Sequence, residues 1–241
     1  MNKIFFILTF LSATAFTQSK IETVTIKSDD FVEEFDLKIE EDTVKHGPYK
    51  KYKKGALIEY GTYLYGKRNH VWTYYHANGK KQAEGLFIDN EQGGLWSYYD
   101  QNGNLVQKYN HTTDSLHFFV RHNPNEQHFF REEGKDSTSI MMDSPPLFIG
   151  GLQYAVDLAY DCVTYPETAK VNQTEGMAYI TLWITTDGKA IEHRIHKDPG
   201  DGCAEEALKC IKALPDEWIP GTINGKKVET KLFFPIHFRL N

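Results

Sequence analysis

Cysteine is scarce in this sequence, three residues in 241. That is too few for a disulfide-built scaffold, and the three lack zinc-ligand spacing. Proline is scarce too, nine residues with no run that would make a long rigid spacer. Basic charge is not in excess: 27 Lys and Arg stand against 33 Asp and Glu, a formal net charge of -6. Nothing electrostatic therefore points to nucleic acid as a main partner. Beyond the amino terminus no apolar run approaches the roughly 20 residues of a spanning helix. The chain has no G-x-S-x-G, H-E-x-x-H, P-loop or dinucleotide fingerprint. The expectation is a non-enzymatic protein without cofactor or metal. His117, His122 and His128 have no carboxylate or cysteine at ligand spacing and read as surface strand histidines. His193 and His196, three apart on a strand, point to opposite faces.

Aromatic residues and glycine are abundant: 14 Tyr, 15 Phe and 4 Trp beside 18 Gly. The balance of 40% hydrophobic and 25% charged residues is that of a globular chain with one or two domains. At the start, Lys3, the apolar stretch Ile4 to Leu11 and the small residues Ala13-Thr14-Ala15 have the pattern of a secretory signal over residues 1–17, cut after Ala15 or Thr17. The expectation is an exported, periplasmic protein. The alternative is an uncleaved segment anchoring the chain in the inner membrane. An acidic segment follows at 18–43, where residues 20–43 hold three Lys against nine acids and read as solvated.

Residues 44–110 repeat with a period of 24. Trp72-Thr73-Tyr74-Tyr75 precedes Asn78-Gly79, and Trp96-Ser97-Tyr98-Tyr99 precedes Asn102-Gly103. Gly61-Thr62-Tyr63 and Gly85-Leu86-Phe87 form the other half of the unit, and Gly47-Pro48-Tyr49 opens an earlier copy. Each unit reads as an antiparallel hairpin whose Asn-Gly pair suits a type I′ turn. Alternate aromatics put rings on one face, and a lone hairpin is marginal, so the units must stack. These units resemble MORN-type repeats. The array carries ten Lys and Arg against five acids, which allows contact with an anionic envelope surface or simple solvation of a two-sided sheet.

Residues 111–146 break the period. Leu116 to Val120 and Gln127 to Phe130, around Asn123-Pro124-Asn125, read as a degenerate hairpin. Gly134 to Pro146 reads as a linker. From residue 147 onward the patterns alternate between helix and strand. A helix follows Gly150-Gly151, a short turn follows Tyr165-Pro166, and strands run from Met177 to Thr185 and from Lys189 to Lys197 about Asp187-Gly188. An amphipathic helix covers 203–214, with Ala204, Ala207, Leu208 and Ile211 on its apolar stripe and Pro215 after it. In the last strand Leu232, Phe234, Ile236 and Phe238 share one face; Lys231, Phe233, His237 and Arg239 share the other. The fold class expected over 147–241 is α+β, a three-stranded antiparallel sheet with helices on one face, after an all-β array of hairpins.

Tyr165-Pro166 with Ala169, Gly176, Asp187-Gly188, Glu206-Ala207, Trp218-x-Pro220-Gly221 and Pro235-Ile236-x-Phe238 occur in the order seen in the TonB C-terminal domain, which residues 145–241 resemble. The resemblance implies a periplasmic module that takes up an extended peptide from an outer-membrane TonB-dependent receptor by strand addition to its last strand. It places the contacts on Lys170, Val228, Lys231, Phe233, His237 and Arg239. Lys170 stands where the best-known member carries Gln, and Pro235 would interrupt pairing along the strand. The alternative is a cell-envelope interaction module in which the repeats make the main contact. Export would allow Cys162 to bridge Cys203 or Cys210, and buried free thiols are the other option. Cys203 and Cys210, seven apart on one helix, cannot bridge each other.

Overall fold

The computed structural model describes residues 5–8, 20–39, 43–121, 128–132 and 135–240. They divide into two units, residues 1–120 and 121–241. Of the expected leader only Phe5–Leu8 is described, as strand β1 paired with Val24 to Lys27; the rest of 1–17 lies outside the described residues.

Unit 1 is an antiparallel meander in which every strand pairs with the next in sequence. After β1 come β2 (Lys20–Lys27), β3 (Phe31–Ile39), β4 (Val44–Lys53), β5 (Ala56–Leu64) and β6 (Lys67–Tyr75). Then follow β7 (Lys81–Ile88), β8 (Glu91–Tyr99), β9 (Leu105–Asn110) and β10 (Ser115–Phe119). Of the acidic residues before 40, Glu22, Glu33, Glu34 and Asp36 therefore sit on two strands of this sheet, with Asp29 and Asp30 in the turn between them, rather than on a solvated segment. There Glu33 and Glu34 pair in register with Lys51 and Lys50 of the array. The opposite charges of the two stretches meet across strands, a stabilising arrangement.

One face carries a ladder of rings. Trp72 and Trp96 are buried among the rings of other strands of the same sheet. Room for each indole comes from a glycine on the preceding strand: a Cβ on Gly61 would lie 2.2 Å from the Trp72 ring, and one on Gly85 2.1 Å from Trp96. Tyr63 meets Trp72 edge-on at 5.2 Å, and Phe87 meets Trp96 likewise at 5.2 Å. The indole N–H groups donate to backbone carbonyls, Trp72 to Thr62 and Trp96 to Leu86. The glycine half of each repeat thus exists to receive the tryptophan half.

The turns differ from expectation. Type I′ geometry, with two consecutive positive φ angles, is found at Lys54-Gly55, Tyr65-Gly66 and Asp89-Asn90. At Asn78-Gly79 and Asn102-Gly103 only the glycine has positive φ. There Gly79 N–H donates to His76, and Gly103 N–H donates to Asp100. These are longer turns with a left-handed glycine, accompanied by register shifts at Tyr74/Tyr75 and Tyr98/Tyr99.

Unit 2 contains β11 (His128–Glu132), β12 (Lys135–Ile140), β13 (Leu147–Phe148), α1 (Leu152–Cys162), α2 (Glu167–Asn172), β14 (Gly176–Ile184) and β15 (Ala190–Lys197). It continues with α3 (Cys203–Lys212), β16 (Trp218–Ile219), β17 (Gly221–Ile223) and β18 (Lys226–Phe238). The main sheet runs β12-β11-β18-β14-β15, with β17 also on β18, so it has six strands where three were expected. Two of the additional strands come from residues read as half a hairpin and as linker. β10 pairs with β9 in unit 1, while β11 pairs with β12 and β18. The turn between Leu116–Val120 and Phe129 lies outside the described residues.

The core lies on one face of this sheet. Ala178, Ile180, Leu182 and Ile184 of β14 and Phe234, Ile236 and Phe238 of β18 meet Ala155 and Ala159 of α1 and Ala204, Ala207 and Ile211 of α3. Cys162 bridges Cys210, tying α1 to α3, and Cys203 is a buried free thiol. Closing this loop, with a sequence separation of 48, stabilises by about 4 kcal/mol in the chain-entropy account.

Candidate functional site

β18 is paired on both sides over part of its length. β14 pairs with Thr230 to Phe238 and β11 with Glu229 to Lys231, so these two strands lie on opposite edges of β18. Successive residues of an antiparallel strand direct their N–H and C=O groups alternately to its two sides. His237 directs both to the Tyr160 hydroxyl: its N–H donates over 2.7 Å, and the hydroxyl donates to its C=O over 3.2 Å. Steps of two then place the groups of Phe233, Lys231 and Glu229 on that same outer edge. Pro235, which shares it, has no N–H to give.

The outer edge is therefore short. Tyr160 caps it at His237, Pro235 interrupts it, and β11 covers Glu229 to Lys231 in the register Phe129↔Lys231 and Arg131↔Glu229. Among the described residues no strand pairs with it at Phe233. At the far edge of the sheet, β15 is shifted in register twice against β14 and carries Glu192 at φ 50°. Such bulges and the charges of Arg194 and Lys197 protect an edge from pairing.

The sheet face opposite the helices is aromatic and cationic. Phe129 lies 6.3 Å from Phe233, and His196 meets Phe233 edge-on at 5.1 Å. Arg131 stacks 4.2 Å from the Trp183 ring, and Lys231 reaches over both Trp183 and Phe233. Arg131 also pairs with Glu192 at 2.8 Å and Glu229 at 3.6 Å. An open groove of about 480 Å³ on this face is lined by Tyr179, His196, Lys197 and Phe233.

Of the six residues singled out from the sequence, Lys231 and Phe233 come together at this face. His237 is exposed two residues past Pro235. Val228 pairs with Gly221 of β17. Arg239 is exposed one residue beyond the end of β18. Lys170 lies on α2, bonded to Glu167 at 2.6 Å. Residues missed were Phe129 and Arg131 of β11, Trp183, and Tyr160. Alternation in the run around Phe129 was a signal for a strand, but nothing local named its partner.

The motif residues behind the resemblance are mostly structural. Tyr165 meets Phe238 edge-on at 5.5 Å and donates from its hydroxyl to Thr174 O. A Cβ on Gly188 would fall 2.3 Å from the Trp218 carbonyl oxygen, and one on Gly221 2.6 Å from Thr230 Oγ1. Hydrogen bonds from Thr174 and Asn172 hold the Asp201 carboxyl below its usual range, fixing the connection from α2 to β14. Glu206 is likewise lowered, by its hydrogen bond from Lys209 and by the Thr164 N–H. Burial pushes the Cys203 thiol up, away from thiolate chemistry.

Among the described residues no group of three His, Cys, Asp or Glu side chains is placed to hold a metal. No helix among them is long and apolar enough to cross a membrane. No curated protein matches the chain. Residues 162–240 match the family model described as Gram-negative bacterial TonB protein C-terminal, a domain of non-enzymatic, envelope-associated transducers that interact with outer-membrane receptors.

Proposed function

We propose that unit 2 is a periplasmic strand-binding module of TonB-dependent transport, and that it receives an extended segment of an outer-membrane receptor on the outer edge of β18. The observation that carries this reading is the outward direction of the Glu229, Lys231 and Phe233 backbone groups in a domain of this family. The bound segment gains main-chain hydrogen bonds from the edge, and Lys231 and Phe233 select its alternate side chains. His237, Val228, Arg239 and Lys170 flank this role. Residues 1–17 act as a cleaved signal. The Cys162–Cys210 bridge supports an oxidising compartment. The module supports energy coupling through partners that supply the motor connection.

A second reading rests on unit 1, as MORN-type repeats in contact with the envelope. The face opposite the tryptophans exposes Val71 and Leu86, which pair across strands, together with Ile88 and Leu95. The array cations favour it less, because Lys45 and Lys51 are engaged by Glu33. Titration of the exported chain with synthetic peptides from receptor amino-terminal segments distinguishes the two. Binding in the micromolar to millimolar range is expected, and its absence at millimolar peptide sinks the first reading. Retention on peptidoglycan or anionic vesicles that is lost when array lysines are neutralised would favour the second.

A further inference from the structure

The edge assigned to a partner is already in use. Phe129, Phe130 and Arg131 of β11 run antiparallel to Lys231, Thr230 and Glu229, and β12 covers the other side of β11. We infer that the β11–β12 hairpin is a built-in competitor, a strand of the chain itself that occupies the partner edge and is displaced when an extended segment binds. This rests on the reading of unit 2 as a strand-binding module and adds its regulation and the chemistry of the incoming strand.

Three features carry the inference. First, β11 makes a short contact with β18, three register pairs against nine between β14 and β18. The hairpin can therefore leave while the core sheet stays paired. Secondly, none of the residues of β11 whose burial is described, His128 to Arg131, belongs to the fully buried core: Phe129 is 45% exposed, whereas Phe234 and Ile236 are 0% exposed. Thirdly, its side chains meet those expected to read a partner. Phe129 lies against Phe233, and Arg131 lies over Trp183 while bonded to Glu192.

A competing strand that reproduces these contacts is antiparallel to β18. It carries an aromatic or large apolar residue where Phe129 stands opposite Lys231. Two residues on, it carries a cation able to stack on Trp183 between Glu192 and Glu229. It also gains the outward N–H and C=O of Phe233, which no described strand takes up. Because β11 is held on the same chain, its effective concentration is high, and it keeps weak strands out.

The test uses the full exported chain and two probes, a peptide copying residues 126–134 and a receptor amino-terminal peptide. In the unmodified protein the Lys231 amide should exchange with solvent at least tenfold faster than those of Leu232 and Phe234, because the hairpin opens alone. Phe129→Ala should accelerate Lys231 a further tenfold without changing Leu232, and should bind the copying peptide about tenfold more tightly. A Phe129→Cys/Lys231→Cys pair, oxidised, should bind neither peptide. Reduction should restore binding to the level of a Lys231→Cys single variant, with the unmodified chain under the same reductant as control for the native bridge. Equal exchange at Lys231 and Leu232 in both proteins overturns the inference. So does binding that is the same in the locked and open forms, or a Phe129→Ala chain that binds neither probe. Binding of the copying peptide without the receptor peptide supports the competitor and removes the receptor reading.

Discussion

Trp72 in unit 1 and Phe234 in unit 2 are both 0% exposed, yet they are covered in opposite ways. Trp72 is shielded by Tyr63 and Phe87 from the adjoining strands and by Tyr49 from β4, one strand further on in the same sheet, with Arg68 lying 4.8 Å over its ring. Phe234 is covered by helices brought from more than 20 positions away in the chain. Unit 1 is held by nearest-neighbour contacts, so damage to it should stay local, as in other repeat arrays. Unit 2 shares one core, closed by a bridge, so damage there should spread to the whole unit while leaving the β11–β12 hairpin as a separable part.

The strongest challenge to that contrast is removal of a ring. Trp96→Ala should cost unit 1 about 3–5 kcal/mol through a cavity among its rings. Hydrogen exchange should show loss of protection confined to strands β6 to β9, whose rings include Tyr74 against Trp96, and protection lost evenly across unit 1 would break the nearest-neighbour account. Next in size is the bridge. Cys210→Ser should lower the stability of unit 2 by about 4 kcal/mol, measured by denaturant unfolding, while the exchange rates of unit 1 stay as they were. Gly85→Ala comes third. Its Cβ would collide with the Trp96 indole, which must shift at a cost of about 1–3 kcal/mol, whereas Gly55→Ala meets no atom within 4 Å and loses only the ease of its positive φ.

Acid should separate the units least. His111 in unit 1 is held below the ordinary histidine pKa by burial, and His193 in unit 2 by burial and then by Lys212. Each is more readily protonated in the unfolded chain, so stability is full above about pH 6.5 and declines as pH falls towards the folded pKa. Both units should lose stability together on mild acidification. A rise in stability of either unit between pH 7 and 5.5, followed by intrinsic fluorescence, would contradict the assignment of its histidine.

Much of this contrast was readable in the sequence, because it is written in local spacing. The 24-residue period located the tryptophans and their glycines, and alternation in the last strand separated Phe234, Ile236 and Phe238 from Phe233 and His237. Turn type was less legible: Asn-Gly fits several turns, and the register shift in the flanking strand decides among them. The acidic strands were missed because charged residues at 29–36 mask an alternation that only their lysine partners make stable. The division after Val120 was missed for a related reason. β11 is five residues long, and its partner in β18 lies about 100 positions on, a pairing no window of sequence contains. The sequence left Cys162 two bridging partners, and the orientation of α3 selects Cys210 while turning Cys203 into the core.

The central claim is that a partner strand binds on the outer edge of β18. Amide exchange and chemical shifts of the isotope-labelled chain, followed during titration with a receptor amino-terminal peptide, address it directly. The account predicts that the Phe233 amide becomes protected and that the signals of Phe129 to Arg131 move towards those of an unpaired hairpin, with unit 1 unchanged. Perturbation confined to unit 1 or to β15, with Phe233 unprotected at saturating peptide, would contradict it.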